Sequence, residues 1–232
     1  LIKSVRADVK GTKTKLRLGA ASGEWKAMVA DEAARVAFAK NIKKILEKNK
    51  LDGIDLDFEW AETEKEYEDY SLAILKMREV LGDKYVFSVS LHPVCYKISK
   101  EAIAAVDFIS YQCYGPSPVR FPMEKYCSDI QMALAYGIPK EKLVAGVPFY
   151  GVTKDEAYFS FVQDGLITGP AQNEVTYKGD VYVFDGQNNI RAKTRYAMDQ
   201  QLKGMMSWDL ATDMPLNDSR SLFKTMVEEL GR

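Results

Sequence analysis

The chain has 232 residues, 47% hydrophobic and 28% charged, which is ordinary for a soluble globular domain. With 32 Lys and Arg against 33 Asp and Glu, its net charge of −1 favours neither nucleic acid nor an anionic membrane. Its apolar runs are too short to cross a bilayer. We therefore expect no nucleic-acid partner and no membrane span, and the length predicts one domain, residues 1–232.

Few residues are available for metal or nucleophilic chemistry. His92 is the only histidine, which excludes a zinc site with two or more histidine ligands. Cys95, Cys113 and Cys127 lack metal-ligand spacing, and neither a P-loop nor a G-x-G-x-x-G motif occurs. We expect no metal and no cofactor, so carboxylates must supply any catalytic groups. His92 follows a predicted strand and precedes Pro93, which favours a structural or pocket-rim role.

Taken in chain order, predicted strands alternate with predicted helices. The strands are expected at about 15–20, 52–60, 85–91, 107–114, 143–150 and 204–210. The helices are expected at about 31–50, 63–81, 98–105, 125–136, 191–202 and 217–230. The first of these begins at a capping Asp31 and has Phe38, Ile42, Ile45 and Leu46 on one face. The stretch 152–190 is expected to be irregular, with a possible hairpin through 181–184.

This alternation predicts parallel βαβ units, and polar and aromatic residues at the strand ends favour a TIM-type (β/α)8 barrel. The sequence supplies six of the eight strands that a barrel needs. We therefore expect the first two strands to be missing from this sequence. The short distance between the fifth predicted strand and the next long helix predicts no large insertion domain.

One stretch, 51–60, contains three carboxylates at two-residue spacing: Asp55, Asp57 and Glu59. In a strand this spacing puts all three on one face, and it puts three apolar residues on the other: Ile54, Leu56 and Phe58. Because neighbouring carboxylates repel each other, at least one of the set is expected to keep a proton and serve as a general acid. An acidic solvent face or a calcium site is the alternative, and the large apolar partners argue against it.

The stretch 52–59 matches D-G-x-D-x-D-x-E, the signature of family 18 glycoside hydrolases, which are chitinase-like TIM barrels. Other segments resemble further strands of this family in the right order: 16–21 the third strand, 106–115 the sixth, 143–151 the seventh and 204–209 the eighth. The resemblance covers the chain from about residue 15. It implies that the missing strands are the family's first two.

The resemblance also implies a mechanism in which the substrate's own N-acetyl carbonyl replaces the enzyme nucleophile. It implies that Glu59 is the general acid, that Asp57 orients the acetamido group, and that Asp55 shares a proton with Asp57. Tyr114 matches the tyrosine whose hydroxyl holds the acetamido oxygen. Trp208 matches the tryptophan that forms the floor of the reacting subsite.

Four more residues are candidates for substrate binding. Gln112 and Tyr150 lie at predicted strand ends, whereas Trp60 and Trp25 are expected either to bind sugar at neighbouring subsites or to pack in the core. The family's M-x-Y-D reads Gln112-Cys113-Tyr114-Gly115 here. Gln112 resembles the glutamine of endo-β-N-acetylglucosaminidases and plant-type chitinases.

The expected function is therefore hydrolysis of β-1,4 bonds that follow N-acetylglucosamine, in chitin or related oligosaccharides. The alternatives are an endo-β-N-acetylglucosaminidase acting on N-glycans and a non-catalytic chitinase-like lectin. The expected partner is a carbohydrate that contains N-acetylglucosamine. We expect a monomer that is secreted, periplasmic or at the cell surface.

Overall fold

The structure is a computed structural model that describes residues 2–21, 25–115 and 121–231. In these ranges the strands are β1 (Arg17–Ala21), β2 (Gly53–Asp57), β3 (Val86–Leu91), β4 (Phe108–Tyr111), β5 (Leu143–Pro148), β6 (Tyr150–Gly151), β7 (Glu156–Ala157), β8 (Glu174–Tyr177), β9 (Asp180–Val183) and β10 (Gly204–Trp208). The helices are α1 (Ile2–Asp8), α2 (Trp25–Ala30), α3 (Glu32–Asn49), α4 (Glu64–Leu81), α5 (Lys100–Ala105), α6 (Met123–Tyr136), α7 (Tyr158–Gln163), α8 (Gln187–Asp199) and α9 (Leu222–Glu229).

All the strands predicted from the sequence are present. In the described part of the chain they form a six-stranded sheet in the order β1-β2-β3-β4-β5-β10. The chain divides into two compact units, residues 1–91 with 95–109 and residues 92–94 with 110–232. The expected single-domain organisation stays a prediction.

In the first unit, β1, β2 and β3 are adjacent parallel strands. Asp55 pairs in register with Gly19 of β1 and with Ser88 of β3. The predicted strand 52–60 is too long, because β2 ends at Asp57. Glu59 therefore lies beyond the carboxyl end of its strand.

Two long helices of the first unit begin at residues that cap them, and the sequence had indicated the first of these caps, Asp31. The Asp31 carboxylate accepts a hydrogen bond from the Ala34 amide at 2.7 Å, which caps α3. Thr63 and Glu66 form a reciprocal capping box at the start of α4. One helical residue was assigned to the wrong face: Ile45 is 40% exposed, whereas Ile42 and Leu46 are buried.

In the second unit, β5 and β10 pair in parallel, and β8 and β9 form the hairpin expected near 181–184. Helix α7 was not predicted, because Ala157 at its N-cap provides no capping side chain. The helix is held by aromatic packing instead, since the Phe161 ring contacts the rings of Tyr177, Tyr182 and Phe184. Helix α8 also begins before the predicted position, at Gln187, after an N-cap glycine with no side chain.

A buried ion pair fixes α8. Lys193 Nζ lies 2.5 Å from Asp185 Oδ2, and the two side chains are 3% and 0% exposed. Burial raises the pKa of the Asp185 carboxyl, while the Lys193 charge opposes that shift. Asn189 donates a further hydrogen bond to Asp185 at 3.2 Å. Since both charges are paired and hydrogen-bonded, removal of either one would leave the other buried without a counter-charge.

Within the described residues, no helix is both long enough and apolar enough to cross a membrane.

We predict that Gly53→Ala destabilises the fold. A methyl group at this position would lie 1.9 Å from the backbone oxygen of Val86 on the neighbouring strand, and backbone cannot rotate away as a side chain can. We expect a loss of about 3 kcal/mol or more in the free energy of unfolding, measured by urea denaturation. Gly19→Ala on β1 is the control, because among the described residues, its own chain neighbours aside, no atom lies within 4 Å of the added methyl. Equal stability of the two variants would contradict the prediction.

Candidate active site

The alternation predicted for the acidic strand is present. Ile54 and Leu56 are fully buried, and Asp55 and Asp57 on the opposite face are partly accessible. Glu59, past the strand end, is exposed. The carboxylates are therefore accessible to a ligand on one face of β2, while the apolar residues anchor the strand on the other.

Asp55 is held by its neighbours on β3. Ser90 Oγ donates to Asp55 Oδ2 at 2.7 Å, and Ser88 Oγ donates to Asp55 Oδ1. The guanidinium of Arg17, on β1, lies 3.6 Å from Asp55 Oδ1 and donates a hydrogen bond to Ser88 Oγ. Both carboxylate oxygens of Asp55 thus accept hydrogen bonds, and a positive charge lies beside one of them.

Asp52 has a different role from the other three acids. Its carboxylate accepts a hydrogen bond from the Leu16 amide at 2.8 Å, and its own amide donates to the Leu16 carbonyl at 2.7 Å. These bonds join the entrances of β1 and β2. Asp52 therefore stabilises the entry to the two strands.

The segment that bears Glu59 and Trp60 is fixed on either side of these residues by Cys95. The Cys95 thiol accepts a hydrogen bond from the Ala61 amide at 3.2 Å and lies 3.9 Å from the Phe58 carbonyl oxygen. Burial raises the pKa of this thiol, so the sulfur is in its neutral form.

The capping box of α4 restrains the far end of the same segment. Glu66 accepts a hydrogen bond from the Glu62 amide at 2.7 Å, and Lys26 lies 2.6 Å from Glu62 and 3.0 Å from Glu66. The connection between β2 and α4 is therefore restrained close to its exposed glutamate.

Trp25, one of the candidate sugar-binding residues, is 4% exposed and packs in the core. Its ring contacts those of Phe38, Phe58 and Tyr70, with centroid distances of 5.4 to 6.1 Å. Of the two alternatives expected for Trp25, this burial favours packing. Trp60 is only partly buried and keeps its place as a candidate.

In the second unit, Tyr114 and Tyr150 lie close together. Their rings meet edge to face at 6.3 Å, and the Tyr114 hydroxyl lies 3.8 Å from the sulfur of Met206 on β10. Tyr114 is buried and Tyr150 partly exposed. Gly146 on β5 is required for this arrangement, because a methyl group there would lie 2.9 Å from the Tyr114 ring and 2.8 Å from a backbone oxygen.

The remaining candidates of the second unit differ in exposure. Gln112 is buried directly after β4. Trp208, at the carboxyl end of β10, is 56% exposed. His92 is buried, with ring atoms 3.5 Å from where a side chain on Gly115 would begin. Cys113 is buried just after β4, and burial raises the pKa of its thiol to about 12.

Sequence reasoning missed the two serines that hydrogen-bond to Asp55, which are Ser88 and Ser90, and it missed Cys95, which fixes the segment that bears Glu59. The two serines repeat the two-residue spacing of Asp55 and Asp57, so a parallel pairing of the two strands would have placed them side by side. No signal in the sequence indicated Cys95, because its contacts depend on how the chain turns after β3.

Comparison with known proteins identifies the class. Residues 2–213 match the sequence profile described as Glycosyl hydrolases family 18. The chain belongs to this family, as the signature at 52–59 indicated.

Its relatives are chitinases by name. The chain is 23% identical to Probable chitinase 2 of Drosophila melanogaster, across 83% of this chain and 54% of the relative. It is 24% identical to Class V chitinase CHIT5b of Medicago truncatula, across 74% of this chain and 54% of the relative. The chain thus spans about half the length of these curated relatives.

Solved structures confirm the expected TIM-barrel class. Chitinase ChiB of Flavobacterium johnsoniae superposes with a TM-score of 0.79 at 27% identity, over 98% of this chain and 77% of that one. A chitinase of Bacteroides thetaiotaomicron superposes with a TM-score of 0.84 at 21% identity, over 98% of this chain and 80% of that one. A Cycas revoluta chitinase, solved in complex with (GlcNAc)3, superposes with a TM-score of 0.79 at 20% identity, over 99% of this chain and 84% of that one.

We predict that Cys95→Ala destabilises the segment after β2. Without the sulfur, the amide of the buried Ala61 loses its acceptor. An unsatisfied buried amide costs about 1–3 kcal/mol in the free energy of unfolding, measured by urea denaturation. Cys95→Ser provides an acceptor at nearly the same place and is expected to recover much of the loss. If alanine and serine were equally stable, the hydrogen bond would have no such role.

Proposed function

We propose that this protein is a retaining glycoside hydrolase that cleaves β-1,4 bonds following N-acetylglucosamine in chitin-type oligosaccharides. The main support is the arrangement of its acids, with Asp55 and Asp57 on one accessible face of β2 and Glu59 exposed just beyond. In TIM barrels, active sites form at the carboxyl ends of the strands. The chitinase names of the relatives fit this proposal.

The proposed reaction begins at Glu59, whose carboxyl protonates the glycosidic oxygen as the bond to the anomeric carbon breaks. The carbonyl oxygen of the substrate's N-acetyl group attacks that carbon and forms an oxazolinium-like intermediate. Water, deprotonated by the Glu59 carboxylate, then opens the intermediate with net retention.

Asp57 and Tyr114 are proposed to hold the acetamido group. Asp57 accepts a hydrogen bond from its N–H, and the negative charge of Asp57 stabilises the positive charge that develops on the ring. The Tyr114 hydroxyl donates to the acetamido oxygen, which orients the carbonyl for attack. Tyr150 and Gln112 are proposed as further contacts to the sugar.

Trp208 is proposed to stack on the apolar face of the sugar. Its exposure at the end of β10 leaves a large aromatic surface available to a ligand. Trp60, partly buried beside Glu59, is proposed to contact a neighbouring sugar. A monomeric state and an extracytoplasmic location stay predictions.

The substrate is tested with two sugars. Full-length protein is incubated with chitotetraose and, separately, with a high-mannose glycoprotein, and the products are identified by mass spectrometry. Cleavage of chitotetraose is expected. Release of a glycan that leaves one N-acetylglucosamine on the protein would instead identify an endo-β-N-acetylglucosaminidase, a specificity that the buried Gln112 after β4 would favour.

We predict that Glu59→Gln lowers kcat for chitotetraose by a factor of about 10³ or more, because the amide cannot donate the required proton. Affinity for chitotetraose, measured by calorimetry, is expected to remain within a few-fold. Glu68→Gln, at an exposed position of α4, is the matched control. A wild type that binds chitotetraose without cleaving either substrate would favour the lectin.

We predict that Trp208→Ala raises KM for chitotetraose roughly three- to tenfold, the size expected from losing one aromatic contact. The loss is expected mainly in KM, since stacking holds the sugar in both the ground state and the transition state. Leu216→Ala, which removes another exposed apolar side chain of the second unit, is the control. An unchanged KM in the Trp208 variant would remove this residue from the binding site.

A further inference from the structure

We propose that Arg17 is a positioning residue for the carboxylates of β2: its guanidinium is the counter-ion of Asp55 and replaces the proton that Asp55 would otherwise share with Asp57. This inference rests on the proposed function, because Asp57 is given its role there. It assigns to Arg17 a part in the reaction that the acidic signature does not contain.

The register of the strands places Arg17 beside the acids. Arg17 pairs with Gly53, and Gly19 pairs with Asp55. Because side chains on one face are two residues apart, Arg17 lies on the same face of the sheet as Asp55, at the preceding position on that face. Its guanidinium reaches to 3.6 Å from Asp55 Oδ1. The two side chains are 26% and 17% exposed, so solvent screens this pair less than it screens an ion pair at the surface.

The hydrogen bonds give this contact a direction. A guanidinium can only donate, so Ser88 Oγ accepts from Arg17 and directs its own hydrogen to Asp55 Oδ1. Ser90 donates to the other oxygen, Oδ2, at 2.7 Å. Asp55 thus accepts a hydrogen bond from a serine hydroxyl at each carboxylate oxygen and has a cation beside one of them.

Aromatic packing fixes the position of the cation. The guanidinium carbon of Arg17 lies 4.7 Å from the centre of the Phe108 ring, within the range of a cation–π interaction. Arginine stays charged at every physiological pH. The positive charge beside Asp55 is therefore permanent, whereas a shared proton can be lost.

This permanent charge has a consequence for Asp57. Two ionised carboxylates on neighbouring positions of one face repel each other. In the proposed reaction Asp57 must be negative while the oxazolinium-like cation develops, so the charge of Asp55 has to be balanced at that moment. Arg17 balances it without a proton transfer. Behind the strand, burial of the Tyr70 hydroxyl, with the charges of Asp55 and Asp57 adding, raises its pKa well above the usual value, so Tyr70 contributes no charge.

The sequence shows why another member of the family could differ. The family's S-x-G-G ending of this strand corresponds here to Arg17-Leu18-Gly19-Ala20. A serine at the first position offers a hydroxyl but no charge. Where this chain has an arginine, the acids gain a fixed cation.

The experiment compares kcat and KM for chitotetraose in four proteins: wild type, Arg17→Gln, Arg17→Lys and Lys15→Met. Gln keeps a donor for Ser88 but removes the charge, whereas Lys keeps the charge. Lys15→Met is the control for loss of a nearby positive charge, because Lys15 is 64% exposed and pairs with Asp52 at 4.0 Å.

We expect Arg17→Gln to lower kcat about tenfold or more while KM stays within about twofold, since the balance of charge matters most in the transition state. Arg17→Lys is expected to retain most of kcat, and Lys15→Met to resemble wild type. In a double-mutant cycle, Asp55→Asn combined with Arg17→Gln is expected to lose less than the product of the two single losses. Additive losses, or an unchanged kcat in Arg17→Gln, would overturn the proposal.

Two measurements keep this test separate from other failures. Wild-type turnover that disappears in Glu59→Gln establishes the proposed function first, so an unaffected Arg17→Gln then contradicts only the role of Arg17. The melting temperature of each variant is also recorded, because Arg17 packs on Phe108. Should Arg17→Gln not fold, Arg17→Lys decides: a folded Lys variant with most of its activity supports the charge, and one with little activity refutes it.

Discussion

The strict alternation of side chains along β2 is the constraint on which the rest of the first unit depends. Ile54 and Leu56 are fully buried on one face, and that burial fixes which face the carboxylates occupy. A register slip of one residue would bury the acids and expose the apolar residues. The Tyr70 hydroxyl lies 3.4 Å from the Leu56 carbonyl oxygen, so α4 packs directly behind the acidic face. Hydrophobic packing on one side thus determines where the candidate catalytic groups lie on the other.

The concentration of acids on that face opposes folding, and the structure reduces this cost in two ways. The first is local pairing, because Asp55 has two serine donors and a cation within reach. The second is that β2 ends at Asp57. Glu59 therefore lies beyond the strand that carries the other two acids, and it is exposed. The three carboxylates therefore share a spacing in the sequence but occupy different environments. Different environments are what allow chemically identical groups to serve as acid, anion and anchor.

Some elements of the fold could be predicted from the sequence, because their signals come from residues that are neighbours along the chain. The alternation at 54–58 and the cap at Asp31 depend on neighbouring residues, so the sequence located α3 and the core of β2, although it made the strand too long. Helix α7 was missed because aromatic contacts distant in sequence hold it, not a cap. The same limit applies to Cys95 and Trp25. Their partners lie far along the chain, at Ala61 and at Phe58, and neither contact has a periodic signal.

Departures from a family pattern are therefore best interpreted through the contacts that surround them. Gln112 departs from the usual sixth-strand residue and lies buried directly after β4. Arg17 departs from the third-strand serine and contacts another protein side chain, Asp55, through a shared Ser88. In the proposed reaction, Gln112 contacts the sugar, whereas Arg17 balances the charge of Asp55. The acidic signature of this chain is intact. The chain differs from the family pattern in the charge and the hydrogen bonds around that signature.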